Sequence, residues 1–144
     1  MKAQLLLAAA AALLTAAAPA TYHSGKLALP FSESVQAGDT LYLAGQIGAP
    51  EGARAVVAGG IGPQAKQAMD NIGGILARRG LTHADLVKCT VMLGDMADWP
   101  AFNAIYATYF KSDHYPARSA FAASGLAYDA KVEVECIAYN PAGR

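Results

Sequence analysis

Apolar side chains recur with two different periods along this chain, and the change from one to the other sets out its elements. Residues 40–47 (TLYLAGQI), after the turn-forming pair Gly38-Asp39, predict a strand, and residues 26–30 a short strand before it. Residues 50–60 are rich in Gly and Ala and read as a loop. Across residues 61–79 the period lengthens: Ile61, Ala65, Ala68, Met69, Ile72, Ile75 and Leu76 recur at spacings of three and four, as on an amphipathic helix. Pro63 suits the first turn of that helix and Gly80 its end. The Gly73-Gly74 pair weakens it by about 1 kcal/mol per glycine relative to alanine, which predicts close packing against a sheet in compensation. Residues 85–93 (DLVKCTVML) predict a further strand. Asp98 is placed to cap a second helix, with Pro100 in its first turn and Phe102, Ile105, Tyr106 and Tyr109 as its apolar stripe, read as core rather than as a binding platform. Residues 117–124 and 130–139 predict the last two strands, joined by a short loop containing Gly125 and Asp129.

The order β-β-α-β-α-β-β predicts an α+β fold, a two-layer sandwich with two helices on one face of a mixed sheet. Leu41, Leu43 and Ile47 have one parity and Tyr42 and Ala44 the other. Apolar groups on both faces predict that the open face meets another subunit, so a homo-oligomer is expected.

The amino terminus follows a different logic. Lys2 precedes an apolar run from residue 5 to residue 18, and Ala18-Pro19-Ala20 fits the small-x-small pattern of a cleavage site. Residues 1–20 are therefore expected to be a secretory signal peptide, cut near Ala20, rather than a stable membrane insertion; residues 21–144 form a single domain, periplasmic or secreted. Cleavage removes Lys2 and leaves ten basic against eleven acidic side chains, a net charge of −1. A near-neutral domain carries no electrostatic footprint for nucleic acid, and the only adjacent basic pair, Arg78-Arg79, reads as complementing a helix dipole. Two cysteines remain, Cys89 and Cys136, both in strand-like apolar runs. Export permits a disulfide, and burial as small hydrophobes fits equally; the sequence leaves both open. No zinc-type spacing is present, and His23, His83 and His114 form no ligand pair, so no metal site is expected.

The chemistry concentrates near the carboxy terminus. Arg118 opens a strand in Tyr115-Pro116-Ala117-Arg118-Ser119 and shares its parity with the small residues Ala120, Ala122 and Ser124. A guanidinium with space in front of it suits a carboxylate, which it can bind through two parallel hydrogen bonds. Glu133 follows in Val132-Glu133-Val134-Glu135. The alternative is a structural ion pair between the two.

Taken in order, Pro30-Phe31-Ser32, Gly38-Asp39, Leu41-Tyr42-Leu43-Ala44-Gly45-Gln46-Ile47, Pro116-Ala117-Arg118-Ser119 and Val132-Glu133-Val134-Glu135 resemble the signatures of the RidA (YjgF) family. Gln64, Ala68, Asn71, the Val87-Lys88 strand and Asn103 align as well, so that the resemblance covers nearly all of residues 24–140. It implies a chorismate-mutase-like fold and homotrimers with clefts between subunits. It also implies hydrolytic deamination of reactive enamines and imines, such as 2-aminoacrylate or 2-iminopropanoate, to 2-oxo acids and ammonia, with no cofactor. By resemblance Arg118 and Glu133 are the catalytic pair, and Phe31, Ala44, Gly45, Asn103 and Ala120 bind the imino or oxo acid. Phe31 stands where many relatives have tyrosine, Ala44 where serine is usual, Ala120 where some have cysteine, and Ala127 where proline is usual. Loss of the two hydroxyls keeps a second reading open, a non-catalytic small-carboxylate (2-oxo acid) binding protein of the same fold. A ribonuclease, a third reading, lacks the basic and histidine clusters it would need.

Overall fold

The computed structural model describes residues 18–141. The expected leader, residues 1–20, lies outside them but for its last three. Nine regular elements follow: β1 (Thr21–His23), β2 (Ser34–Ala37), β3 (Thr40–Leu43), β4 (Gln46–Ile47), α1 (Ile61–Ala77), β5 (Leu86–Leu93), α2 (Trp99–Tyr106), β6 (Ala117–Ala122) and β7 (Val132–Tyr139). The strands form one sheet in the order β1-β2-β3-β7-β5-β6, with β4 also on β7. Only β5 and β6 run parallel; every other pairing is antiparallel. Both helices pack on one face, which gives the expected α+β sandwich with a mixed sheet.

The start of the chain departs from expectation. Residues 26–30 are not a strand; β1 and β2 flank them, paired with each other. The 40–47 strand is two strands, because Ala44-Gly45 breaks the ladder: β3 pairs with the far end of β7 and β4 with its near end. That break takes Gly45 out of regular pairing, and it proves to matter for Glu133.

Core formation follows the two periods. On the sheet, Leu41, Leu43, Cys89, Val91, Leu93, Val132, Val134, Cys136 and Ala138 are buried toward the helices. From α1, Ala65, Ala68, Met69, Ile72, Ile75 and Leu76 answer them, and Phe102 and Tyr106 do so from α2. Ile105 and Tyr109 are only half-buried, since the helix tightens to a 3₁₀ turn after Tyr106. Asp98 precedes α2 but caps nothing with its side chain; Asp95 caps the turn before it, accepting from the Ala97 N–H at 2.8 Å.

The helical glycines also differ from expectation. A Cβ on Gly73 would lie 2.7 Å from the His83 ring, whereas one on Gly74 would meet only ordinary contact. Close approach to the sheet occurs instead at Gly48, where a Cβ would lie 2.6 Å from the Gln64 Cα. Arg78 does not merely complement the helix dipole. It reaches Glu33 at 2.6 Å and Glu51 at 3.6 Å, tying the end of α1 to the loop before β2 and to the loop after β4.

Cys89 and Cys136 face each other in the β5–β7 register and form a disulfide, both buried. The bond closes a 47-residue separation, worth about 4 kcal/mol in the chain-entropy picture. The outer face of the sheet carries Tyr42, Phe121 and Tyr139, all about half exposed, beside Glu133, Glu135 and Lys88. It is a mixed surface rather than a purely apolar one.

Candidate active site

The sheet itself separates the expected site residues into two groups. In the parallel β5–β6 register Arg118 lies beside Cys89 and Ala120 beside Val91, so both sit on the face that the helices cover. Glu133 pairs with Met92 on β5 and with Ile47 on β4, on the opposite face. Strand β5 also lies between β6 and β7. Within one chain, therefore, Arg118 and Glu133 do not meet, and the ion-pair alternative for them fails.

Arg118 is held by aromatic rings. Its guanidinium carbon lies 4.7 Å from the Tyr106 ring centroid, 5.1 Å from Trp99 and 5.8 Å from Phe102. Each ring is within reach of a cation–π attraction, and contact with ring faces leaves the N–H edges of the fork available. Among the described residues no carboxylate pairs with Arg118. Phe102 and Tyr106 are core residues, as the α2 stripe predicts, and their rings also contact Arg118. Trp99, three residues before Phe102, was missed, although it continues the same stripe. Asn103 is on the same helix, and its Oδ1 is buried without a partner, as is the Tyr106 hydroxyl. Burial pushes the Tyr106 phenol up to about 12, against the opposing pull of Arg118.

The Glu133 group is built around a cavity of about 390 Å³. Phe31, Gly45, Gln46, Asn71, Tyr128 and Glu133 are among its walls. Gly45 is there for a steric reason. A Cβ at that position would collide with the Glu133 carboxylate and come within 2.9 Å of its Cδ, so Glu133 lies directly across Gly45. Burial, and then the neighbouring charge of Glu135, raise the Glu133 carboxyl above the usual carboxylate range. A raised carboxyl exchanges protons closer to neutrality.

Two side-chain amides, the buried Gln64 and the half-buried Asn71, fix this side. Asn71 donates to the carbonyls of Ala49 at 2.8 Å and Ile47 at 3.3 Å, holding β4. Gln64 accepts from the Lys131 N–H at 2.8 Å, holding the entry to β7 two residues before Glu133. Phe31 is 59% exposed on the cavity wall. Ala44 does not line the cavity; its N–H is taken by the Glu33 carbonyl at 2.9 Å. Tyr128 was missed because it lies in the short loop before β7. Its positive φ of 56°, uncommon for a bulky residue, has no signature in a single sequence. Among the described residues no three His, Cys, Asp or Glu side chains cluster as metal ligands, and no helix is long and apolar enough to cross a membrane.

A two-helix layer on one face of a mixed sheet is consistent with the chorismate-mutase-like class of α+β fold. The chain belongs to the YjgF/RidA family, whose profile, described as endoribonuclease L-PSP, matches residues 22–140. It is 39% identical over 109 residues to the human 2-iminobutanoate/2-iminopropanoate deaminase, covering 76% of this chain and 79% of that protein. It is 37% identical over 109 residues to Reactive Intermediate Deaminase A, chloroplastic, of Arabidopsis thaliana, covering 76% and 58%. The crystal structure of the E. coli YjgF gene product superposes with a TM-score of 0.72 at 33% identity, over 83% of this chain and 94% of that one.

Proposed function

We propose that this protein hydrolyses reactive enamine/imine intermediates, 2-imino acids such as 2-iminopropanoate, to 2-oxo acids and ammonia. The observation that carries the reading is the Glu133 carboxyl laid across Gly45 at an open cavity, in a chain similar to the human 2-iminobutanoate/2-iminopropanoate deaminase. Arg118 binds the substrate carboxylate through its free N–H edges and fixes C2 relative to water. The imine enters protonated on nitrogen; the Glu133 carboxylate takes a proton from that water as its oxygen bonds to C2 and the C=N π pair moves to nitrogen, giving a neutral carbinolamine. Glu133 then passes that proton to the amine nitrogen, the hydroxyl oxygen forms C=O as the C–N bond breaks, and the departing ammonia carries off the hydroxyl proton as ammonium. These groups need no cofactor for the sequence of steps.

Because Arg118 and Glu133 occupy opposite faces of the sheet, the reading requires Arg118, Asn103 and Ala120 of one copy to face Phe31, Gly45 and Glu133 of another. The assembly proposed is a homotrimer with three such clefts. The half-exposed rings of Tyr42, Phe121 and Tyr139 on the open face of the sheet support it. The proposed setting is outside the cytoplasm, periplasmic or secreted, after cleavage near Ala20.

Ammonia release from imines generated by an amino-acid oxidase tests the activity, with Arg118→Ala as control. A rate equal to that without protein sinks it. Sedimentation is expected to give about three chain masses, and a stable monomer at micromolar concentration removes the shared cleft. Intact mass of exported protein should place the amino terminus at or near Thr21.

A further inference from the structure

On this deaminase reading, we infer that Tyr128, with Leu29 and Phe31, forms a side-chain subsite that selects 2-imino acids bearing a bulky apolar group over the alanine-derived imine. The three residues line the same cavity as Glu133 and Gly45. All are large and solvent-accessible there: Leu29 is 43%, Phe31 59% and Tyr128 51% exposed. Large apolar groups gathered around one cavity are characteristic of ligand-binding walls. The cavity, about 390 Å³, falls in the range of pockets that hold ligands of roughly 300–1,000 Å³.

The backbone adds a second observation. Tyr128 adopts φ 56° and ψ 33°, and Asp129 follows with φ 54°. A left-handed conformation is ordinary for Gly or Asn and unfavourable for an aromatic residue. Such strain persists where the surroundings fix it, and it clusters at ligand clamps. No stacking or hydrogen bond explains the ring locally: among the described residues Tyr128 has no ring partner and its hydroxyl none either. Its visible consequence is to present the ring at the cavity. The facing wall is equally prepared. The loop carrying Leu29 and Phe31 is pinned at one end by Lys26 on Glu51 at 3.0 Å and at the other by Glu33 on Arg78 at 2.6 Å. The substrate's reacting carbon lies at Glu133, and its side chain extends between these walls.

Amino-acid oxidase supplies the imines of alanine, leucine and phenylalanine in situ, and kcat/KM is measured for the wild type, Tyr128→Asn and Tyr128→Phe. Asparagine tolerates the left-handed backbone and removes the ring; phenylalanine keeps the ring. The wild type should favour the phenylalanine-derived imine over the alanine-derived one by about tenfold or more. Tyr128→Asn should cut that ratio by about tenfold, and Tyr128→Phe should preserve it. A wild-type ratio near one, or a ratio that Tyr128→Asn does not move, overturns the inference. Calorimetry with pyruvate and phenylpyruvate separates this failure from failure of the deaminase reading. If no imine is turned over, that reading falls. The subsite then stands if phenylpyruvate binds about tenfold tighter than pyruvate and loses the margin in Tyr128→Asn, and it falls if the two bind alike.

Discussion

Arg118 is carried on a six-residue strand and faced by an eight-residue helix, whereas Glu133 is met by a chain that breaks at Gly45 and enters β7 from a left-handed pair of residues. The Arg118 side is regular structure lined with aromatic rings. The Glu133 side is irregular backbone held by two amides, Gln64 and Asn71, and by ion pairs at Arg78. The contrast matches the two tasks proposed for them. A carboxylate clamp needs a fixed cation with free N–H edges, and ring faces supply that without consuming hydrogen bonds. A proton-exchanging carboxyl needs partial burial, space for water and a neighbour that lets it lie flat, and a glycine at a break in the sheet supplies that. Each half is well made and each is incomplete, because the sheet stands between them.

The comparison breaks most sharply in a mixing experiment. Glu133→Gln should lower kcat by about 10²–10⁴-fold, the usual range for losing a general acid–base group, with 2-oxo acid binding near normal. Arg118→Ala should lose roughly ten- to a hundredfold in 2-oxo acid affinity. Co-assembled from equal amounts, the two inactive variants should regain activity, roughly a quarter of the wild type by random assortment around a ring. A mixture no more active than its parts would mean that both residues serve one chain, contrary to their placement on opposite faces.

Two finer changes sharpen each half separately. Arg118→Lys should lose affinity for 2-oxo acids almost as Arg118→Ala does, roughly tenfold or more, because a lysine offers a point charge in place of a planar fork. Unchanged affinity in calorimetry would deny the bidentate clamp. Gly45→Ala should leave the fold intact, since the added Cβ meets the movable end of Glu133. The displaced carboxyl should cost about tenfold in kcat, as a misplaced catalytic group does, with little change in affinity. A full-rate Gly45→Ala enzyme would show that the position of the carboxyl over Gly45 is not the productive one.

How legible these halves were differs by residue. The helices, the central strands and the sandwich follow from periods of 3.6 and 2, because burial on one face enforces them. Arg118 and Glu133 stand out by type and motif, and only the ion-pair alternative takes them as neighbours within one chain. Nothing in a hydrophobic pattern says that β5 is inserted between β6 and β7, or which parity of each strand faces the helices. The break at Ala44-Gly45 was hidden inside a run that alternates well enough to pass as one strand. Residues 26–30 have strand-like composition but lie between two strands that pair with each other. Tyr128 was illegible because a left-handed aromatic follows no composition rule. Cys89 and Cys136 became a pair only once register placed them opposite each other.

The smallest expected effect concerns Glu133 and its neighbour. Burial and the charge of Glu135 raise the Glu133 carboxyl in the folded protein, while in the unfolded chain it keeps its ordinary value. Between those two values the folded state binds more protons than the unfolded, so stability falls as pH rises through the window and the penalty is complete above it. Glu133→Gln removes the penalty. Its melting temperature should exceed that of the wild type at neutral pH, by on the order of 1–2 °C, and the two should converge below the carboxylate range. Glu135→Gln tests the second cause. With that charge gone, Glu133 ionises more easily, and the acid limb of the kcat/KM profile should move to lower pH while the alkaline limb stays in place. An acid limb that Glu135→Gln leaves unmoved would assign it to a group other than Glu133. The Arg118 side supplies the contrast: Arg118→Lys keeps the positive charge that faces Glu133 across the proposed cleft, so it should leave the acid limb where it is.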